Sequence, residues 1–469
     1  MKNKVPFNNI NNYGVKSKQL GSGTYGIVNL YCAKNTEYAI KNIKKEFFPS
    51  GLREAALLSI LNNKYIISLI DINVKDDLSI ELIMENYGIS VNDYKKTKIL
   101  SLETKKKISL QLIDVVSYLH YKEILHGDIN LKNLLISDED GVKIKLIDFG
   151  LSRALLFSGC ELTPDILYSI EYRPPEILLR NSYSLNADMW AVGCAIYSIY
   201  NKTELFNHIT KETQELDLLY YQCRLLGTTK DVLEKYPDMY AYAYNADNKF
   251  VEDELINLIL SKILVMDPVD RFDSFQVSNI IGIDNLEVMD TSKILNYYCS
   301  YPSKHNYKKD LNYLSMMMSI IHESNIELKT FFMISYIYDK CISKLYNKYN
   351  IENILSACIY VAESYIDYPI YELMSKSNEI VKEILVICQI DFVKTLSIDY
   401  LMSGNHNNIT IIILKILSLS EYVFVKTPKE LSLISLDLNY NYDSILYLFD
   451  MYKSVHNHDI LTESRNMKI

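Results

Sequence analysis

"EILHGDINLKNLLI" fills residues 123–136 and sets Asp128 and Asn133 five positions apart between two apolar runs. Taken singly, either residue reads equally well as a turn residue or a cap. The flanks narrow the choice. Upstream, "LETKKKISLQLIDVVSYLH" (102–120) repeats apolar residues at Ile108, Leu112, Val115, Val116 and Leu119, the period of an amphipathic helix. Downstream, "VKIKLIDFG" (142–150) alternates like a strand and ends in Asp148-Phe149-Gly150. Helix, polar loop and strand thus follow one another, with a second carboxylate at the end of the strand.

The chain has 469 residues, more than one core accommodates, because cores stop growing near ~250–300 residues. Hydrophobic residues make up 49% and charged residues 23%, so most of the chain is expected to fold. A net charge of −9 argues against a broad phosphate-tracking surface and hence against nucleic acid as partner. The eight cysteines are scattered without a C-x-x-C pair, which predicts reduced, mostly buried thiols and an intracellular compartment, cytoplasmic or nuclear. The start, "MKNKVPFNNINNYG", has no apolar h-region, and no stretch reaches ~18 uncharged apolar residues, so no membrane partner is expected.

"QLGSGTYGIVNLY" (19–31) places Gly21, Gly23 and Gly26 between strand-like flanks. The same G-x-G-x-x-G spacing opens a helix in dinucleotide-binding folds. Here the chain continues with β-favouring residues, which predicts a hairpin loop folding over phosphates. In "YAIKNI" (38–43) Lys41 lies within an apolar strand, where a lone lysine usually snorkels to solvent. "FFPSGLREAALLSIL" (47–61) has Pro49 and Ser50 at a helix start and Glu54 in the first turns. Glu54 is either a solvated, dipole-favoured residue or the partner of Lys41.

Phosphoryl transfer needs a carboxylate to orient the attacking hydroxyl, oxygen ligands for Mg²⁺ and a cation over the phosphates. Asp128, then Asn133 with Asp148, then Lys41 supply these types. As an ordered set they resemble the eukaryotic protein kinase family over residues 13–285, and within it the cyclin-dependent kinase group. "GSGTYGIV" is similar to that group's glycine loop, "PSGLRE" (49–54) to its PSTAIRE helix one residue short, and "LIMENY" (82–87) to its hinge. "DFGLSR", "EYRPPEILL" and "ADMWAVGC" resemble its activation segment and the helix beneath it.

The resemblance implies an α+β, two-lobed fold with a small β-rich lobe at about 13–87 and a large helical lobe at about 88–285. It implies ATP and Mg²⁺ as cofactors. Gly21, Ser22, Gly23, Thr24, Tyr25, Gly26, Val28, Ala39, Lys41, Glu54, Met84, Glu85, Tyr87 and Asp148 would surround the nucleotide. Met84 would be the gatekeeper, Glu85 to Tyr87 would offer backbone bonds to adenine, and Asn133 with Asp148 would hold metal. Glu176 and Arg271 would form an ion pair of the large lobe. Ser169 would favour serine and threonine substrates, and Arg173 is a hint of Ser/Thr-Pro sites.

Two departures stand out. The family pattern H-R-D-L-K-P-x-N reads His126-Gly127-Asp128-Ile129-Asn130-Leu131-Lys132-Asn133. Asn130 replaces a lysine that contacts the γ-phosphate, and Lys132, at the position where tyrosine kinases carry their cation, is expected to restore the charge. Gly127 replaces an arginine that, with arginines resembling Arg53 and Arg153, gathers a phosphorylated loop residue. Activation by phosphorylation near Thr163 is therefore expected to be weak, and Thr24 and Tyr25 resemble the group's inhibitory phosphosites. Retention of Lys41, Glu54, Asp128, Asn133 and Asp148 favours a working enzyme over a non-catalytic scaffold.

Residues 286–307 read as a linker and 308–469 as an all-α unit, with apolar stripes at Phe331, Ile334, Tyr338, Cys341 and Leu345, at Ile354, Cys358, Val361 and Tyr365, and at Val381, Leu385, Cys388 and Phe392. "ELKTFFMISYIYDKCIS" (327–343) and the two segments after it are similar to a cyclin box. "ILKILSLSEYVFVKTPKELSLISLDL" (413–438) is similar to the opening of a second, truncated cyclin fold. Of the Lys and Glu by which cyclins hold the PSTAIRE helix, Glu383 matches the Glu and Ser364 stands at the Lys. The resemblance implies a kinase activated by its own cyclin-like domain in cis, or by that of another copy in trans.

Overall fold

In the computed structural model of the chain, residues 13–33, 36–122, 124–139, 141–154, 168–206, 215–237, 239, 241–242, 249–282, 328–366 and 378–388 are described. Two compact units divide the chain. Residues 1–43, 53–73 and 80–288 form the first, and residues 44–52, 74–79 and 289–469 form the second.

The first unit opens with strands β1 (Val15–Ser22), β2 (Gly26–Ala33) and β3 (Thr36–Ile43). Helix α1 (Phe48–Ile60) follows, beginning in residues assigned to the second unit, and then strands β4 (Leu69–Val74) and β5 (Ile80–Glu85). The sheet order is β1-β2-β3-β5-β4, with β1/β2, β2/β3 and β3/β5 antiparallel. Lys41 pairs with Val28 on one side and Leu82 on the other, and Ala39 pairs with Met84. Because side chains alternate across a pleated strand, Val28, Ala39, Lys41 and Met84 share one face. Gly26 is required by packing: a Cβ there would lie 1.9 Å from the Asn42 carbonyl oxygen across the β2/β3 pair.

A larger, mainly helical lobe follows. It contains β6 (Ile89–Ser90), α2 (Val91–Thr97), α3 (Leu102–Tyr121), β7 (Ile124–Leu125), β8 (Leu134–Ser137), β9 (Lys143–Leu146) and β10 (Arg153–Ala154). Beyond these lie α4 (Pro175–Leu178), α5 (Asn186–Tyr200), α6 (Glu215–Leu226), α7 (Lys230–Lys235), α8 (Glu254–Ile263) and α9 (Ser274–Ile281). Ser101 starts α3 by accepting the Thr104 N–H, and Asp273 starts α9 in a reciprocal box with Gln276. Helix α5 is apolar nearly all round and lies in the core, with Trp190 fully buried. Arg271, also fully buried, meets Glu176 through two bonds of 2.7 and 2.9 Å and lies over the Trp190 ring. That bidentate pair ties the start of α4 to the segment before α9. A β-rich lobe followed by a helical one is the α+β architecture read from the sequence.

The described part of the second unit contains helices α10 (Leu328–Leu345), α11 (Ile351–Ile366) and α12 (Asn378–Cys388). Their apolar stripes are buried at Ile334, Tyr338, Cys341, Ile354, Cys358, Val361, Val381, Leu385 and Cys388. Within this unit Phe48, the first residue of α1, is fully buried and stacks on Tyr360 with ring centroids 5.6 Å apart. Asp76 accepts bonds from the Lys382 ammonium and, through its carbonyl, from Asn378. Glu383 is engaged inside the unit by Lys348 and by the Tyr349 hydroxyl, and Ser364 is fully buried. Polar contacts to residues 74–79 are thus made from Asn378 and from Lys382, the neighbour of the glutamate that the sequence singled out. The linker at 286–307, Phe392 and the segment 413–438 lie outside the described residues, as does Thr163. Among the described residues no helix is long and apolar enough to cross a membrane.

Candidate active site

Strand β3 carries Lys41 into the interior, where it is 8% exposed and its Nζ lies 2.7 Å from Glu54 Oε2 and 2.8 Å from Asp148 Oδ1. Glu54 comes from α1 and Asp148 from the turn after β9. Burial penalises the Lys41 ammonium, but the charges of Asp148 and Glu54 outweigh it and hold the lysine protonated. Burial also pushes the Glu54 carboxyl up, to about 7, against the pull of Lys41, whereas at Asp148 the same lysine overcomes burial and lowers the carboxyl.

The Glu54 shift has a measurable sign. A carboxyl raised from an ordinary value near 4.5 to about 7 binds its proton more tightly in the folded chain. Its stabilising contribution is fully present below about 4.5 and is lost as pH rises through about 7. The charged form is nonetheless the one that pairs with Lys41. Melting and turnover should therefore move in opposite directions through neutral pH in the wild type, and Glu54→Gln should flatten both profiles. Thermal unfolding and initial rates across this range check it.

Asp148 adopts φ 66°, a left-handed conformation that costs a non-glycine residue about 1–3 kcal/mol. Neighbouring bonds sustain it. Phe149 is fully buried with its ring against His126 at 4.9 Å, and Lys41 holds the carboxylate. His126 accepts the Asp128 N–H at Nδ1 (3.2 Å), and its Nε2 lies 3.1 Å from the Ile147 carbonyl. Nδ1 thus serves as an acceptor, and Nε2 faces the carbonyl.

Asp128 is fixed on both carboxylate oxygens. Its Oδ1 accepts from the Ser169 N–H and hydroxyl, both at 3.1 Å, and its Oδ2 accepts from Asn133 Nδ2 at 2.8 Å. With its amide nitrogen donating also to the Asp128 carbonyl (2.9 Å), Asn133 presents Oδ1 as its remaining side-chain polar atom. An amide oxygen and the Asp148 carboxylate are hard oxygen donors of the kind Mg²⁺ takes, so the residues present fit that ion.

Asn130 is turned into the loop and 4% exposed. Its Oδ1 accepts the N–H groups of Lys132 (2.9 Å) and Asn133 (3.1 Å), and its Nδ2 donates to the Asp128 carbonyl (3.2 Å) and the Ser169 hydroxyl (3.5 Å). It thus braces the loop without bringing charge. Lys132 is exposed. Burial and the charge of Glu171 raise the Glu204 carboxyl, and Lys132 opposes them, which sets its ammonium within electrostatic reach of Glu204.

Of the hinge residues, Met84 is 7% exposed and Glu85 ends β5. Glu85 spends its N–H on the Ser68 carbonyl (3.1 Å), so that amide is not the one a purine would use. The Glu85 side chain is held by Lys145 at 2.8 Å and by the Ser68 N–H at 2.7 Å, and Lys145 also lies over the Tyr87 ring. In the β1–β2 turn, formed by Gly23, Thr24 and Tyr25 after Ser22 ends β1, the Gly23 N–H donates to the Gly26 carbonyl. Among the described residues, apart from its chain neighbours, a Cβ at Gly21 or Gly23 would meet no atom within 4 Å. Packing therefore does not demand glycine there, and bare backbone leaves room for phosphate oxygens.

Two supporting residues escaped the sequence reading. Asp188, fully buried at the start of α5, accepts the N–H groups of His126 (2.7 Å) and Gly127 (3.1 Å). Tyr168 donates its hydroxyl to the same carboxylate at 2.8 Å. Asp188 lay inside the "ADMWAVGC" match without a role of its own, and one tyrosine among 39 carries no signal.

A family model described as "Protein kinase domain" matches residues 15–280, more than half of the chain.

Proposed function

The chain belongs to the protein kinase domain family, and on that premise we propose that it transfers the γ-phosphate of ATP to serine and threonine hydroxyls. The observation that carries this reading is the pair of braced carboxylates: Asp148 beside the Lys41–Glu54 pair, and Asp128 between Asn133 and Ser169. Lys41 would position the nucleotide phosphates, and Asp128 would orient the attacking hydroxyl. Asn133 and Asp148 would hold Mg²⁺, which when bound neutralises charge developing on the transferred group. The bond from Ser169 Oγ to Asp128 supports a site shaped for a short aliphatic hydroxyl. Lys132 would assist as the exposed cation carried by the catalytic loop.

A feature of the substrate side supports Ser/Thr-Pro sites. Tyr168 has φ 66°, and its carbonyl accepts from Arg173 at 3.0 Å. A carbonyl engaged in that way is a poor acceptor for the N–H of the residue following the phosphorylated one, and an unmet N–H costs about 1–3 kcal/mol. Proline has no N–H to leave unmet. Arg173→Gln should therefore reduce the preference for Ser-Pro over Ser-Ala peptides by ~10-fold, the equivalent of about one lost hydrogen bond to a charged group. A kcat/KM ratio left unchanged would count against proline direction.

We further infer that the helical unit serves the kinase domain in cis as a cyclin-like activator. The residues behind this reading are Phe48 with Tyr360 and Asp76 with Lys382, all within the second unit. The rival reading, a weak or inactive scaffold, draws on Asn130, which braces the loop but brings no cation.

A further inference from the structure

We propose that Tyr168 is a positioning residue that locks the substrate-side segment onto the catalytic loop through buried hydrogen bonds, so that the loop is set without a phosphorylated residue. The proposal rests on the kinase reading above for its consequence but on geometry for its mechanism. Tyr168 uses every polar atom it has. Its N–H donates to the Gly127 carbonyl (2.9 Å), its carbonyl accepts from Arg173 (3.0 Å), and its hydroxyl donates to Asp188 Oδ1 (2.8 Å). Asp188 in turn receives the N–H groups of His126 and Gly127. A closed ring results, running from the loop backbone to Asp188, through the Tyr168 ring to its backbone, and back to Gly127.

The two residues at the junction hold left-handed backbone, Gly127 at φ 79° and Tyr168 at φ 66°. Glycine enters that region without strain, and the non-glycine residue needs its bonds to stay there. Ser169, next in the chain, makes both bonds to Asp128 Oδ1, so the orientation of the carboxylate depends on where Tyr168 is held. With glycine at 127, the loop offers no side-chain cation at that position to gather a phosphate. A buried hydroxyl on a buried carboxylate does the ordering instead, and it is permanent.

The test compares full-length wild type with Tyr168→Phe, which keeps the ring and removes only the hydroxyl. Hydrogen–deuterium exchange is read over 124–134 and 168–173, and kcat, KM for ATP and the Ser-Pro to Ser-Ala ratio are measured below the unfolding temperature. Expected are faster exchange in both segments, a kcat loss of ~10–100-fold from a misplaced carboxylate, and a KM for ATP within about twofold. Wild type stripped of phosphate, checked by intact mass, should keep its kcat. Exchange unchanged in both segments, or a tenfold loss of wild-type kcat on dephosphorylation, overturns the proposal. Faster local exchange in a chain whose wild type transfers no phosphate would refute the kinase reading and leave the Tyr168 lock standing.

Discussion

Lys41→Met is expected to lower phosphoryl transfer by ~10³-fold, the scale of losing one fixed positive group from a water-poor site. Methionine keeps much of the length and apolar character of lysine but removes the ammonium that lies 2.7 Å from Glu54 and 2.8 Å from Asp148. Two carboxylates then face each other without a cation, and one of them takes up a proton, since like charges at close range do not both ionise. Removing one partner of a buried pair costs about 3–5 kcal/mol, so the melting temperature should fall as well. Rates extrapolated to saturating ATP, measured below the unfolding temperature, separate the two effects. A loss of less than tenfold would mean that Lys41 is a structural ion-pair residue and that the phosphates are held elsewhere.

Phe48→Ala should act at a distance. Phe48 opens the helix that carries Glu54 and is fully buried on Tyr360. Truncating a buried phenylalanine costs about 3–5 kcal/mol, enough to release the aromatic anchor. If the helical unit holds α1 in its working position, kcat should fall by ~10-fold or more, because small displacements of catalytic groups cost that much. Tyr360→Ala should reproduce the loss. The double variant should be little worse than either single change, as expected of residues acting through one contact. Unchanged turnover in all three variants would leave the helical unit as a separate binding module.

Sequence made some of this legible and hid the rest, for physical reasons. The hairpin around Gly21 to Gly26, the helix at 102–120 and the strand before Asp148 announce themselves through period and turn chemistry. The residue types that phosphoryl transfer would need were legible as an ordered set, because that chemistry restricts which types will serve and in what order. Lys41 alone pointed to solvent on average behaviour. Only the fold brings it to Glu54 and to Asp148, 107 positions along the chain. The braces were not legible. Asp188 sits on an apolar helix where its backbone partners are invisible in sequence, and Tyr168 gains meaning only from a positive φ. At Asn130 a change of residue type was visible, but its four bonds inside the loop were not.

Phosphate transfer by this loop is expected despite Asn130 and Gly127. Its most direct test is single-turnover transfer from γ-labelled Mg·ATP to a Ser-Pro peptide by the intact chain, beside Asp128→Asn at equal protein and saturating nucleotide. Labelled phosphoserine is expected from the wild type, with a loss of ~10²–10⁴-fold in the variant, the range for removing a positioned general base. Transfer absent from a wild type that binds ATP, or equal in both proteins, would contradict that expectation.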